Sequence, residues 1–212
     1  MKILVVNDDG IGAQGLETLA AELSKAADVT VVAPARQHSG SSSSITVNTI
    51  LKITETYKNN EFFGYSVDGT PADCVKLALQ EIFDTKPDYI FSGINPGANL
   101  SIDVNYSGTV AAANEGLKAG ITSCAVSVST HGAGKLDYTP SGIIARKWLE
   151  IIAQNPTDMP ILYNINVPPL PLEQIKGIAP SHLTNFSYNM KYEKRVNPSG
   201  AAYYWLGETG LD

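Results

Sequence analysis

Asp8 and Asp9 are adjacent carboxylates, placed directly after the apolar run Lys2 to Asn7 and just before Gly10. Two ionised carboxylates held close together repel each other unless a cation neutralises them or one keeps its proton. Oxygen donors of this kind suit a hard or borderline divalent ion such as Mg2+ or Mn2+. A serine hydroxyl and an asparagine amide oxygen would complete such a set without adding charge. The same three residues, Asp-Asp-Gly, are also good turn chemistry on their own, and both readings stand at this point.

Three further polar segments carry side chains of the same kind. The first, Arg36 to Gly40, contains His38 and Ser39. The second is Gly93-Ile94-Asn95-Pro96-Gly97-Ala98-Asn99, whose asparagines are either turn makers or ligands. The third, Tyr106-Ser107-Gly108-Thr109, opens onto Val110-Ala111-Ala112-Ala113. If that last stretch is helical, its free N–H groups and dipole favour an anion, phosphate above all, with the two hydroxyls as added donors. A plain serine cap would look the same.

What must position these groups is legible in the hydrophobic pattern. Lys2 to Asn7 and Asp28 to Ala33 read as buried strands, with a helix between them from Leu16, Leu19, Ala20 and Leu23. Strand, helix and strand in about 30 residues make a right-handed βαβ unit with parallel strands. Ile45 to Ile53 and Phe62 to Val67 are expected to pair antiparallel across a polar turn at Glu55 to Glu61, an excursion from the parallel sheet. Thr70-Pro71-Ala72-Asp73 starts a helix that runs to about Phe83. Strands are expected at Asp88 to Ser92, Cys124 to Val128 and Ile161 to Val167. Helices are expected from Ser107 to Ala119, closed by Gly120, and from a second cap-plus-proline start at Thr139-Pro140 to about Ala153. The class is α/β with a mostly parallel sheet flanked by helices. In such sheets ligands bind at the carboxyl ends of the strands, near the point where strand order reverses. The four polar segments all belong at that edge.

Composition narrows the function classes. Of 212 residues 43% are hydrophobic and 17% charged, which supports one sizeable core and excludes wholesale disorder. Fifteen basic residues against 21 acidic ones leave a net charge of -6, with no basic block, so no nucleic-acid polymer is expected as a partner. The opening apolar run is too short for a signal peptide and no stretch is long enough to span a bilayer, so no membrane partner is expected. Cys74 and Cys124 lack metal or redox spacing and read as small core residues. A reducing, cytoplasmic setting follows as the expectation.

Competing motifs fail on particular residues. Gly10-Ile11-Gly12-Ala13-Gln14-Gly15 has dinucleotide-site spacing, but Asp8 and Asp9 would repel a pyrophosphate. The second strand also ends in Ala33-Pro34-Ala35-Arg36, without an acid for the ribose. These glycines are expected to serve the turn and close helix packing. His38, His131 and His182 form no zinc pattern, and His38 reads as a surface histidine. There is no Walker loop and no Gly-x-Ser-x-Gly elbow. A phosphoacceptor domain would need a third Asp where this chain has Ser92, Gly93 and Asn95.

Taken in order, these segments resemble a known family. Asn7-Asp8-Asp9-Gly10, Ser39-Gly40, Gly69-Thr70-Pro71-Ala72-Asp73-Cys74, Ser92-Gly93-Ile94-Asn95 with Gly97 and Asn99, and Tyr106 to Ala112 are similar to the SurE family. These are stationary-phase survival proteins acting as 5′/3′-nucleotidases. The resemblance implies a metal-dependent phosphomonoesterase that acts on nucleoside monophosphates. It implies one divalent ion, Mg2+ or Mn2+, on Asp8, Asp9, Ser39 and Asn95, with Asp8 or Asp9 as the catalytic carboxylate. Asn99, Ser107, Gly108 and Thr109 are expected to hold the phosphate. Polyphosphate hydrolysis and non-catalytic nucleotide binding are the rival expectations. The resemblance further implies a Rossmann-like sheet, a protruding β-hairpin, an extended C-terminal arm, and a homodimer or homotetramer. Residues 1–212 are expected to form a single domain. Family members usually continue beyond the segment matching Tyr203 to Gly207, so a shortened C-terminal part is expected here.

Overall fold

Every residue from Ile3 to Val6 is fully buried, and that is why the first strand lies in the middle of the sheet. The structure, a computed structural model, describes residues 1–132, 134–184 and 191–207. Its strands are β1 (Lys2–Val6), β2 (Asp28–Pro34), β3 (Ile53–Lys58), β4 (Glu61–Val67), β5 (Tyr89–Pro96), β6 (Thr122–Val128), β7 (Leu162–Val167), β8 (Lys191–Val196) and β9 (Ala202–Gly207). The α-helices are α1 (Gln14–Leu23), α2 (Pro71–Leu77), α3 (Asp103–Tyr106), α4 (Gly108–Lys118) and α5 (Thr139–Gln154); a π-helical turn (Ala78–Ile82) carries α2 on toward Phe83, and a 3-10 turn spans Leu172–Gln174. Among the described residues no helix is long and apolar enough to cross a membrane.

Seven strands form one sheet in the order β3-β4-β2-β1-β5-β6-β7. Only β3 runs antiparallel. Alternate residues of β1 feed opposite layers. Ile3 and Val5 pack with Leu16, Leu19 and Leu23 of α1 and with Leu149 and Ile152 of α5. Leu4 and Val6 pack with Cys74 and Val75 of α2 and Ala112 of α4. Both cysteines are buried and free, and burial pushes their thiols above the ordinary range. Both serve as core residues, as the sequence suggested.

From β1 the chain winds outward through β2 and β4, then crosses back to β5 on the other side. The strand order therefore reverses between β1 and β5, and the crevice beyond their carboxyl ends is where a ligand site is expected. Helix α4 starts there. Its small residues let it lie close on the sheet: a Cβ on Gly116 would meet Ser123 Oγ at 2.3 Å and Ile90 Cδ1 at 2.6 Å.

Two local expectations are corrected, and one stretch without an assigned element gains one. The first hairpin strand is Ile53–Lys58, not Ile45 to Ile53. Asn59 and Asn60 both take left-handed φ, 50° and 65°, and form a two-residue turn that pairs the residues beside it. The segment before is held instead by α2: the Thr46 N–H and hydroxyl donate to Asp73, and the Thr70 hydroxyl donates to Ser44 O. Thr70 caps α2 in a full capping box with Asp73, but Thr139 does not cap α5; Tyr138 precedes it without a side-chain cap. Finally, β8 and β9 form a separate antiparallel hairpin, in the stretch where the periodicity had faded.

Candidate active site

The carboxyl ends of β1 and β5 and the start of α4 enclose a cleft of about 290 Å³. It is lined by Asp8, Asp9, Ser39, Asn95, Asn99 and Ser107, together with Gln37, Asp103 and Tyr106. Six of the eight expected site residues thus meet in one place. A hollow of about 320 Å³ lies at the opposite edge, but two of its charged groups already have partners. The Lys86 amine donates to Ala119 O, and Asp88 accepts the Lys2 N–H.

The turn after β1 is built by Asn7. Its amide oxygen accepts the Gly10 N–H and its amide nitrogen donates to Gly10 O, both at 3.1 Å. Gly10 takes φ +100°, which a side chain rarely adopts. Asn7 is therefore the turn maker, and Asp8 and Asp9 are left facing the cleft.

Asp8 is only 3% exposed. Burial raises its carboxyl above the ordinary range, while the Thr109 hydroxyl, backbone N–H groups and charge on His38 oppose that rise. The Thr109 hydroxyl donates to Asp8 Oδ1 at 2.5 Å, and the His38 N–H donates to Asp8 O at 2.7 Å. Asp9 has its carboxyl raised to about 6, first by desolvation and then by the Asp8 charge. The pair resists ionising together, as adjacency in sequence suggested. It is the His38 backbone that anchors the Asp8 carbonyl, while the His38 side chain is half-exposed.

Thr109 was expected to offer its hydroxyl to phosphate. It is fully buried, and its proton goes to Asp8. Ser107 is a cap after all, with Oγ accepting the Val110 N–H at 3.1 Å; its own proton stays available at the cleft wall. Between them, Gly108 lies so close to Asp8 that a Cβ would meet Asp8 Cβ at 2.7 Å.

Asn95 sits beside an irregularity in β5. Gly93 pairs with Val126 and Asn95 with Ser127, so Ile94 is the extra residue. A bulge of this kind turns the next side chain. A Cβ on Gly93 would lie 2.2 Å from Val126 O, which fixes glycine there. The Asn95 amide nitrogen donates to Gly97 O at 2.7 Å, so Oδ1 is the amide atom that could ligate a cation. Ser39 Oγ accepts the Gln37 amide at 2.8 Å and is exposed at the mouth.

Two residues of β7 escaped the sequence reading. Asn164 and Asn166 bond both backbone groups of Asn99, whose side chain donates to Ser127. Two asparagines at alternate positions of an apolar strand were the signal available. The glycine-rich stretch, by contrast, serves packing as expected: a Cβ on Gly15 would lie 2.1 Å from Ile94 O.

The donor set fits a hard divalent ion. It offers two carboxylates that oppose each other's ionisation, one amide oxygen and one hydroxyl, all around a single cleft. No cluster of three or more His, Cys, Asp or Glu side chains occurs among the described residues, so the set is mixed charged and neutral oxygen.

Known proteins resemble the chain over nearly its whole length. The family described as survival protein SurE matches residues 3–190. A 5′-nucleotidase SurE from Chlorobium limicola is 44% identical over 207 residues, spanning 98% of this chain and 80% of the relative. One from Syntrophus aciditrophicus is 43% identical over 212 residues, spanning 100% and 79%. The crystal structure of the SurE protein from Aquifex aeolicus superposes with a TM-score of 0.82 at 35% identity, covering 98% of this chain and 82% of that one. With the family matched over most of its length and the paired aspartates, bulged asparagine and capped helix in one cleft, the chain belongs to the SurE family.

Proposed function

We propose that the chain is a 5′-nucleotidase that depends on a divalent metal ion. It hydrolyses nucleoside 5′-monophosphates, and 3′-monophosphates beside them, to nucleoside and phosphate. The observation that carries this reading is one cleft in which paired carboxylates face the start of a capped helix. The names of the relatives, 5′-nucleotidase SurE, support it.

Asp8, Asp9, Ser39 and Asn95 would hold the ion, Mg2+ or Mn2+. When bound, it neutralises phosphoryl charge and makes water a better nucleophile. The chain's own groups do the rest. Thr109 occupies one oxygen of Asp8. Asp9, half-buried at the cleft, is the carboxylate left to take the proton of the attacking water. The Ser107 hydroxyl, the Gly108 N–H at the helix start and the second amide proton of Asn99 are donors for the phosphoryl oxygens, where negative charge shifts during transfer. Tyr106, half-exposed on the rim, offers a ring face to the base.

The test is phosphate release from nucleoside 5′- and 3′-monophosphates and from polyphosphate, with Mn2+, with Mg2+ and with chelator. Release from the monophosphates that chelator abolishes is the expected result. Preference for polyphosphate, or nucleotide binding without release, overturns the reading.

Thr109→Val keeps shape and removes the donor to Asp8. Mn2+ affinity, read by calorimetry, is expected to fall about 10- to 100-fold, and Thr109→Ser to restore it. Unchanged affinity in the valine variant would show that Asp8 needs no such support.

The β8–β9 hairpin exposes Tyr192, Tyr204 and Trp205 at 71%, 62% and 62%. A lone two-stranded ribbon is marginal in water, so a second copy is proposed to cover it, in a dimer or tetramer. A monomer in light scattering would refute this.

A further inference from the structure

We propose that Asn164 and Asn166 are positioning residues, an amide clamp from β7 that fixes Asn99 as a phosphate donor before substrate arrives. This rests on the reading of the cleft as a phosphomonoester site.

Asparagine is depleted in strands, because a half-buried pleated surface rewards apolar and β-branched side chains. Yet β7 places two of them at alternate positions, opposite Ala125 and Ser127 of β6. Their amides converge on one residue of another loop. Asn166 Oδ1 accepts the Asn99 N–H at 2.8 Å, and Asn166 Nδ2 donates to Asn99 O at 3.2 Å. One side chain thus meets both backbone groups, as a neighbouring strand would. Asn164 Nδ2 donates to the same carbonyl at 2.8 Å. Its own Oδ1 is buried without a partner, so the bond to Asn99 sets the orientation of that amide.

The clamped loop has no strand pairing of its own. It lies beyond β5, between Gly97 and Ser101, which both take left-handed φ. Side chains from β7 replace the missing ladder. What they fix is a side chain that is 5% exposed and lines the cleft beside Asp8. One amide proton of Asn99 goes to Ser127 Oγ at 2.8 Å. The second remains for a phosphoryl oxygen. A donor held in place beforehand needs no reorganisation as charge develops, and that is the condition under which it lowers the barrier most.

The test compares Asn166→Ala, Asn99→Ala and the double variant. Turnover of a nucleoside monophosphate and binding of inorganic phosphate are read together, alongside Mn2+ affinity by calorimetry. Asn166→Ala is expected to lower kcat and weaken phosphate binding about 10- to 100-fold, with Mn2+ affinity unchanged. In the double variant the second substitution adds almost nothing, because both act through one donor. Asn166→Asp keeps the acceptor for the Asn99 N–H and is expected to give an intermediate loss. It carries the same comparison if Asn166→Ala fails to fold.

Fully additive losses, or a parallel fall in Mn2+ affinity, would reduce the clamp to general support and overturn the proposal. So would unchanged phosphate binding. A wild-type chain that binds phosphate but hydrolyses no nucleotide removes the nucleotidase reading alone. One that binds no phosphate removes both.

Discussion

Asp9→Asn is expected to lower turnover by about three orders of magnitude and, in the same protein without metal, to raise the melting temperature. The first effect follows from removing the carboxylate that faces the cleft. The second follows from electrostatics. In the folded chain the Asp9 carboxyl is raised to about 6 from its ordinary 3.8, by desolvation and by the charge of Asp8. The folded state therefore holds that proton more tightly than the unfolded state. Its stabilising contribution is complete below pH 3.8 and is lost as pH rises through about 6. At neutral pH the ionised group costs stability, and an uncharged amide of the same shape removes the cost. Asp9 is half-buried, so solvent screening reduces the gain to about 1–2 kcal/mol. For a chain of this size that is a rise of about 2–8 °C.

Calorimetry in chelator at neutral pH and near pH 5 separates the causes, because the gain should shrink as Asp9 takes up its proton. Near-normal turnover in Asp9→Asn with Mn2+ present would sink the catalytic assignment. An unchanged melting temperature would sink the electrostatic account. Asp8→Asn should lose turnover to a similar degree, with Thr109 then facing an amide.

The sequence carried the frame of the site further than its details. The run Ile3 to Val6 could only be a strand buried on both faces, and that placed Asp8 and Asp9 at a carboxyl end. Thr70-Pro71 and Ser107 announced their helix starts through local chemistry, whereas the same Thr-Pro pair at Thr139-Pro140 marked a helix start without supplying its cap. The strand before the hairpin was misplaced because Ile45 to Ile53 and Ile53 to Lys58 both hold strand-forming residues. The left-handed pair Asn59-Asn60 decides between them, and its conformation is not written in residue type alone. The direction of Thr109 was hidden for a different reason. A hydroxyl at a helix start can face a ligand or a neighbour, and only the approach of α4 to β1 selects Asp8. The clamp on Asn99 joins residues 65 and 67 positions apart, and no local pattern links them.

That close approach of α4 to β1 makes Gly108→Ala a small substitution expected to damage the site directly, without replacing either carboxylate. The position is not one that requires left-handed backbone, and alanine is the better helix former by about 1 kcal/mol. On propensity alone the change would stabilise α4. Contact overrides it. The new methyl would lie 2.7 Å from Asp8 Cβ, 2.9 Å from Asp8 Oδ2 and 3.1 Å from Ser41 Oγ. Neither side can yield alone. Asp8 is held by the His38 backbone N–H behind it and follows Ile3 to Val6 and Asn7, all buried. Helix α4 is seated on the sheet through Gly116, against Ser123 and Ile90. The methyl must therefore push Asp8 out of line or lift the helix start from the cleft, and a displacement of about 1 Å costs about a hundredfold in rate. We expect that loss in kcat/KM, with weakened Mn2+ affinity and an unchanged helical signal in circular dichroism. Gly12→Ala is the control: its methyl meets nothing within 4 Å, and activity should be normal. Wild-type activity in Gly108→Ala would mean that the helix start shifts freely. The spacing between Asp8 and α4 would then not be what sets the rate.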